Sequence, residues 1–222
     1  EAYAQEQRGQ GLDTYVAGVP AYSTLGWFDD PVLNTVINYP DYELARLIFH
    51  ELAHQAVYVQ HDSEFNESFA VAVDLEGVRR WIAAHGDGKI RADYERAQQR
   101  RARFVQLVLK YRGELAALYR TRLAPDAMRG RKESTFAAMK QEYERLRTEW
   151  GGFAGYDRFF ANLNNANLAS VAIYHELVPQ FQQLLARRGG DLEAFYAEVK
   201  KLAALNKEDR GKALNQALEA VP

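Results

Sequence analysis

The chain has 222 residues, of which 47% are hydrophobic and 26% charged, so it is long enough to bury a sizeable core. Its formal net charge of −2 gives no electrostatic case for nucleic acid as a partner. Without cysteine it has neither disulfides nor thiol catalysis, and no stretch approaches the roughly 20 consecutive apolar residues of a membrane span. Oligomeric state is left open.

The N-terminal part is predicted to contain a small β element. After a short helix, residues 12–17 (Leu-Asp-Thr-Tyr-Val-Ala) are typical of a strand. Residues 21–28, rich in Tyr, Thr, Trp and Phe, favour a second strand or an extended segment. Because the chain begins already helical, without a start signal, we expect that an upstream N-terminal segment is missing.

A helix predicted to begin after Pro40 and Asp41 carries the motif His50-Glu51-Leu-Ala-His54. Residues four apart on a helix differ by about 40° around its axis, so both imidazoles point at one spot where a tetrahedral zinc ion can take two nitrogens. Glu51 follows the first ligand directly, so its carboxylate can take a proton from a water at the metal. This is the pattern of a zinc peptidase with one zinc ion per chain.

The setting of the motif supports a metal site over a chance pair of histidines. Apolar residues surround the motif on almost every side, which predicts a helix buried all round. Burying two histidines and a glutamate in such a helix would cost free energy unless they bound a partner such as a metal ion.

A catalytic zinc ion normally needs a third protein ligand. A third histidine ligand is not predicted, because the pattern His-Glu-x-x-His-x-x-Gly-x-x-His would require a histidine at position 60, where this chain has Gln60. A second helix over residues 64–84, after a turn, would bring Glu67 to the level of His54, so Glu67 is the predicted third ligand. Asp74 ranks second, and Glu64 is expected to be a solvated acid of the first helical turn.

Long helices are predicted for the rest of the chain, over residues 89–123, 126–150, 179–188, 191–205 and 208–220. The predicted fold class is therefore mainly α (α+β): a zincin-like helical hairpin with a small β element before it and long helices after it. We expect a single domain over residues 1–222. It comprises a zinc-binding core (1–88), a long helical hairpin (89–150) and a C-terminal helical part that completes the site (151–222).

The basic run 96–103 is predicted to be the solvated face of a long helix. No aromatic residues interleave it, which argues against a surface that stacks nucleic-acid bases.

The predicted second strand could bind substrate, since zinc peptidases of this general type lay the substrate backbone along a sheet edge. A plain core strand is an equally good interpretation of the same residues. The candidate substrate-binding residues are Ser23, Thr24, Leu25, Gly26 and Trp27.

Hydrolysis also needs a donor that stabilises the oxyanion formed from the peptide carbonyl. Tyr174 and His175 stand just before Val178 and Pro179, where a helix is predicted to begin, and Tyr or His serves this role in related zinc peptidases. The alternative is that Tyr174 packs in the core while His175 caps a helix or faces solvent.

Two other classes of protein were compared with the peptidase. A di-iron bundle also uses Glu-x-x-His, but it needs a second copy, and no glutamate lies three residues before His61, His85 or His175. A helical binding or scaffold protein could retain a zinc site without proteolysis, although a structural zinc would not need Glu51.

Several motifs carry a family resemblance. The string Asn66-Glu67-Ser-Phe-Ala is similar to the Asn-Glu-Gly-Phe-Ala of zinc aminopeptidases, whose glutamate is a zinc ligand. Together with residues 18–31, 164–169 and 174–179 and the histidine motif, it makes nearly the whole chain resemble the bacterial Putative aminopeptidase family. The resemblance implies a zinc peptidase of the glutamate-ligand (gluzincin-like) type that acts on peptides. Its ligands would be His50, His54 and Glu67, with Glu51 as the base. Since members of that family usually carry an export or lipoprotein signal, the resemblance also implies the periplasm or cell envelope.

Overall fold

The computed structural model describes residues 1–18, 24 and 27–219, and every regular element in this part of the chain is a helix. The ten helices are α1 (Ala2–Gly9), α2 (Asp41–Ala56), α3 (Ser63–His85), α4 (Gly88–Tyr119), α5 (Pro125–Glu149), α6 (Asp157–Ala161), α7 (Asn165–His175), α8 (Val178–Arg187), α9 (Leu192–Ala203) and α10 (Lys207–Glu219). None of these helices has the length and apolar character needed to cross a membrane. The expectation of a mainly α protein is confirmed.

The predicted β element is wrong for the residues that the structure describes. Residues 12–17 form no regular element, and the contacts that the structure shows for them are with side chains and a helix end and not with a neighbouring strand. The Asn164 side chain donates to the Thr14 carbonyl at 3.0 Å, and the Tyr15 ring packs on Phe159 with centroids 6.4 Å apart. Strand propensity in six residues is too weak to form a sheet without a partner strand.

The second predicted strand, residues 21–28, lies mostly outside the described residues, which include only Thr24, Trp27 and Phe28. These three form a turn. The Trp27 N–H donates to the Thr24 carbonyl at 3.2 Å, and the Phe28 N–H donates to Thr24 Oγ1 at 3.0 Å. Asp30 closes the turn by accepting from the Thr24 N–H at 2.7 Å. A turn bonded in this way offers no sheet edge.

The chain divides into two compact units, each with its own core. Unit 1 comprises Glu1–Ala17 and Glu95–Ala172, and unit 2 comprises Gly18–Tyr94 and Ile173–Pro222. The core of unit 1 is built from α4 to α7 and is strongly aromatic, with Tyr143 and Phe160 stacked at 3.8 Å. The core of unit 2 packs α3, α8, α9 and α10 around Phe69, Phe181 and Phe195. The prediction of a single domain stays a prediction.

The hairpin of α2 and α3 in unit 2 is the element that positions the predicted site. Helix α2 begins at Asp41 directly after Pro40, as expected, and α3 begins at Ser63 with Asp62 as its N-cap. The two helices pack against each other, and Gly77 makes this close approach possible. A Cβ atom there would lie 2.7 Å from the Phe49 ring.

The turn of this hairpin is fixed by Asn66. Its side-chain oxygen accepts from the Val59 N–H, and its amide nitrogen donates to the Val59 carbonyl, both at 2.8 Å. His61 in the same turn has φ of 63°, a left-handed conformation that is rare outside glycine. The residue just before the predicted ligand Glu67 therefore ties α3 to the end of α2.

Two short helices were not predicted from sequence. Helices α6 and α7 occupy a region, residues 157–175, whose asparagines favour turns and caps. Asn164 and Asn167 do cap here, since the Asn167 N–H donates to Asn164 Oδ1 at 3.1 Å while the Asn164 N–H donates to Asn167 Oδ1 at 3.1 Å. The capping pattern marks a helix start, and α7 follows it.

Candidate metal centre

The two histidines of α2 are buried on the same side of the helix. His50 and His54 are 8% and 7% exposed, and their ring centroids are 5.0 Å apart. The expectation that α2 is buried all round is wrong, because Ile48 and Leu52 are 41% and 50% exposed. On a helix these two residues lie almost opposite the histidines, so only the histidine side of α2 faces the unit's interior.

Glu67 on α3 lies between the two imidazoles, at the place where the sequence predicts a third ligand. Its Oε2 atom is 3.1 Å from His50 Nε2 and 3.6 Å from His54 Nε2. One donor atom from each of the three residues lies within 4.8 Å of the others. Within the described part of the chain, this is a group of residues that could hold a metal ion.

Two of the three donor separations are close to those of ligand atoms around a tetrahedral metal ion. At metal–ligand distances of about 2.1 Å, two tetrahedral ligand atoms are about 3.4 Å apart. The two measured separations from Glu67, 3.1 and 3.6 Å, bracket that value. Two imidazole nitrogens and one carboxylate also form a donor set that zinc accepts, with a fourth position left for water or substrate.

Asp74, the second-ranked ligand candidate, lies on the other side of the His50 ring. Its Oδ2 atom is 3.1 Å from His50 Nδ1, and Asp74 is 1% exposed. Arg46 Nη1 reaches the same carboxylate oxygen at 3.4 Å, and Arg46 Nε donates to Glu43 at 2.9 Å. A carboxylate on the far nitrogen of a ligating histidine fixes the ring's tautomer and orientation. Asp74 is thus placed to orient His50.

The other rival, Glu64, lies in the first turn of α3 and is half-buried. It does not belong to the group of His50, His54 and Glu67.

The charges of the site are strongly coupled. Burial disfavours the charged form of His50, but hydrogen bonds to Asp74 and Glu67 outweigh it and raise the pKa of His50 to about 9. Burial likewise opposes ionisation of Glu67, yet hydrogen bonds from His50 and His54 lower its pKa to about 2. A metal ion that binds between these groups must displace the proton from the imidazole.

Tyr174 stands over this site. It belongs to the last turn of α7, and its ring stacks on that of His50 with centroids 6.1 Å apart. Burial raises the pKa of Tyr174, and so do the negative charges of Glu67 and Glu51 and a hydrogen bond with Glu67. Its hydroxyl therefore lies within hydrogen-bond reach of Glu67. Glu51 is half-buried and follows His50 directly on α2.

His175, the other predicted donor to the oxyanion, does not belong to the candidate metal centre. His175 is the last residue of α7, is half-buried, and does not belong to the metal-ligand group. Both residues end one helix, whereas the sequence placed them at the start of the next, which begins at Val178.

Sequence reasoning missed the role of Ser68. This residue is fully buried next to Glu67, and its hydroxyl donates to the Ile173 carbonyl at 3.3 Å while accepting from the Leu177 N–H at 3.3 Å. It therefore ties α3 to the turn after α7, and so holds Tyr174 near the metal ligands. The signal was its place in the Asn-Glu-Ser-Phe-Ala string, where the similar motif has glycine.

The predicted substrate-binding residues fall in the N-terminal part of unit 2. Thr24 belongs to the turn described above, and Trp27 is 85% exposed. Ser23, Leu25 and Gly26 lie outside the described residues. Substrate binding by this segment stays a prediction.

These features define a helical protein with a candidate metal centre of two histidines and one glutamate on a helical hairpin. The chain matches the family model described as Putative aminopeptidase over residues 1–214, and it belongs to that family. No curated protein and no solved structure matches the chain.

Proposed function

We propose that this protein is a zinc-dependent peptidase, and specifically an aminopeptidase. The observation that carries the proposal is the group of His50, His54 and Glu67, whose donor atoms lie within 4.8 Å of one another, with Glu51 next to His50 in the chain. Membership of the Putative aminopeptidase family supports a peptide as substrate. The family description also supports a free N-terminus as the point of attack.

Under this proposal His50, His54 and Glu67 hold the zinc ion. Bound zinc would supply Lewis-acid polarisation and lower the pKa of a water molecule. Asp74 lies at His50 Nδ1 and would accept its N–H, which would leave Nε2 of the neutral ring to bind the metal. Glu67 stays ionised because its pKa is lowered to about 2, which gives the site one negative charge toward the cation.

The chain's other residues move protons and stabilise charge. Glu51 accepts a proton at its carboxylate from the attacking water and donates it to the nitrogen of the leaving amine. Tyr174 keeps its proton because its pKa is raised, so its hydroxyl donates a hydrogen bond to the oxyanion that develops on the peptide carbonyl. His175 at the end of α7 is the alternative donor.

Two measurements on matched variants test the proposal. Elemental analysis of the purified protein is expected to give about one zinc ion per chain in the wild type. Glu67→Gln should lose this zinc ion, whereas Glu64→Gln, an identical change one turn earlier on α3, should retain it. An absence of zinc from wild-type protein that has been supplied with zinc at neutral pH would overturn the metal site.

Peptide hydrolysis then separates the enzyme from the alternative. A panel of peptides with free and acetylated N-termini should be cleaved by the zinc-loaded wild type, with the free N-termini preferred. Stoichiometric zinc without hydrolysis of any member would support the helical binding protein that retains a zinc site. Cleavage of acetylated peptides alone would support an endopeptidase.

A further inference from the structure

Unit 1 contains a cavity of its own. Its volume is about 350 Å³, which is within the range of sites for small organic ligands. It lies where the first half of α4 meets the C-terminal end of α5. Its wall consists of Arg96, Gln99, Arg100, Arg103, Glu149 and Trp150.

The three arginines of this wall form one face of α4. Arg96, Arg100 and Arg103 are spaced by four and three residues, which places their side chains next to one another on a helix. From sequence this run was predicted to be a solvated face, and Arg96 and Arg103 are indeed exposed. Arg100 differs, because it is half-buried. The cavity therefore has one half-buried guanidinium between two exposed ones.

Arg100 contacts an aromatic ring and has one N–H donor without a hydrogen-bond partner among the described residues. Its guanidinium carbon lies 4.3 Å from the centroid of the Phe153 ring, which fixes the plane of the group. Its Nε atom is buried and has no hydrogen-bond partner among the described residues. A buried N–H group without an acceptor is costly, so an anion that reached it would recover that cost.

The charge of the wall indicates what kind of anion fits. Three arginines and Glu149, which pairs with Arg103 at 3.2 Å, leave a formal charge of +2. A phosphate monoester carries roughly −1.5 to −2 near pH 7, and its oxygens match the guanidinium fork. Trp150 is half-buried in the same wall, where its ring contacts Phe153 and Tyr156 with centroids 6.5 and 5.9 Å apart, so an aromatic group of a ligand could join this cluster.

We propose that this cavity binds the phosphate monoester of a small aromatic compound, with a nucleoside monophosphate as the simplest example. Arg96 and Arg100 hold the phosphate oxygens, and the ring of the ligand lies against Trp150. The site is independent of the metal centre and of the peptidase activity, since all of its residues belong to unit 1.

Isothermal titration calorimetry of the full chain tests the ligand class. Adenosine 5′-monophosphate should bind about tenfold more tightly than inorganic phosphate, because ring stacking adds to the ionic contacts. Adenosine, which lacks the phosphate, should not bind detectably. The nucleotide should also change tryptophan fluorescence in the wild type but not in Trp150→Phe. If neither phosphate compound binds at millimolar concentration, the proposal is overturned.

Charge variants test the residues. Arg96→Gln and Arg100→Gln should each weaken nucleotide binding about tenfold or more, since each removes charge-assisted hydrogen bonds. Glu149→Gln should strengthen it a few-fold, because it removes the negative charge of the wall. Arg101→Gln is the control, because Arg101 hydrogen-bonds to Gln98 on the same helix at 3.4 Å and lies outside the cavity wall.

The pattern across these variants decides the outcome. Equal weakening by Arg101→Gln would indicate only a general effect of charge and would overturn the site. Arg96 is exposed, so its variant keeps the test valid even if Arg100→Gln proves unstable.

Vesicles of phosphatidic acid in phosphatidylcholine distinguish a lipid headgroup from a free ligand. Binding to these vesicles without binding of the free nucleotide would also overturn the proposal.

Discussion

The two units differ in what their cores bury. Of the polar and charged residues that are buried in the described part of the chain, only Asn167 lies in unit 1. The others lie in unit 2: His50, His54, Asp62, Asn66, Ser68, Asp74, Gln180 and Arg210. Burying a polar group costs free energy unless it is hydrogen-bonded, so the core of unit 2 needs more side-chain hydrogen bonds than the core of unit 1.

Several of these hydrogen bonds fix the segments around the candidate site. Arg210 on α10 donates to Asp62 at 2.8 Å, and the same carboxylate caps the start of α3. Asn66 fixes the turn between α2 and α3, and Ser68 bonds to the end of α7 and the turn after it. Of the rest, Gln180 donates to Asn215 at 3.3 Å, while His50 and His54 belong to the group that could hold a metal ion and Asp74 lies 3.1 Å from His50. The buried polar residues of unit 2 thus surround the candidate metal centre, whereas the core of unit 1 is almost entirely apolar and aromatic.

The largest expected effect tests the chemistry directly. Glu51→Gln should lower the rate of peptide hydrolysis by about 10²–10⁴-fold, because general acid–base catalysis contributes roughly that factor. Zinc content should not change, since Glu51 is not a proposed ligand. Parallel assays of hydrolysis and zinc content check this, with Glu64→Gln as the control. Unchanged hydrolysis in Glu51→Gln would remove the residue from the mechanism.

A substitution in the core of unit 1 tests whether zinc binding depends on unit 2 alone. Met139 is fully buried, so Met139→Ala should reduce the free energy of unfolding by about 2–5 kcal/mol. Zinc affinity at a temperature where the variant is folded should stay at the wild-type value, because the ligands all belong to unit 2. Chemical denaturation and a zinc titration provide the two measurements. A large loss of zinc affinity in this variant would break the distinction between the units.

Asp74→Asn tests the residue behind His50. Because a carboxylate that hydrogen-bonds a ligating histidine tunes its orientation and basicity, zinc affinity should fall about 10–100-fold. Competition with a zinc chelator measures this change without any need for a substrate. The same substitution at Asp157 in unit 1, which hydrogen-bonds to Tyr143, should leave zinc affinity unchanged. An unaltered affinity in Asp74→Asn would show that His50 does not depend on this contact.

The smallest effect concerns the surface of unit 1. Burial opposes ionisation of Asp13, but hydrogen bonds from Lys132 and from the Asn165 backbone outweigh it and lower the pKa of Asp13. A carboxyl whose pKa is lowered in the folded state contributes stability above its unfolded pKa, and this stability is lost as the pH falls through the folded pKa. Exposed pairs of this kind contribute at most about 1 kcal/mol. Asp13→Asn should therefore flatten the acid limb of the stability profile slightly, measured by denaturation between pH 2 and pH 7. A steeper acid limb in the variant would contradict this assignment.

Most of the helices and the grouping of three candidate metal ligands could be predicted from the sequence because their signals are local. Pro40 followed by Asp41, the cap at Asp62 and the glycines after α5 mark helix boundaries through backbone chemistry that acts within a few residues. The His-Glu-x-x-His spacing places two imidazoles on one side of any helix. Glu67 followed from the length of the hairpin turn alone.

The sequence misled where a local preference needed a distant partner. Residues 12–17 have strand propensity, yet a strand forms only beside another strand, and here side chains from other parts of unit 1 bond the segment instead. Asp74 resembled a ligand by spacing, but tertiary packing places it on the far nitrogen of His50. The arginine run resembled a plain solvated face until Phe153 and Trp150 were brought next to it.

The sequence by itself determined the helical character of the chain and three residues that can meet at one metal. The tertiary structure decided the rest. Asp74 orients His50, Ser68 holds the end of α7 and Tyr174 near Glu67, and only one side of α2 is buried. The physical reason is the distance along the chain over which each interaction acts. Helix geometry and capping act over about one turn, while the orientation of a ligand depends on contacts between residues far apart in the chain, which only packing brings together.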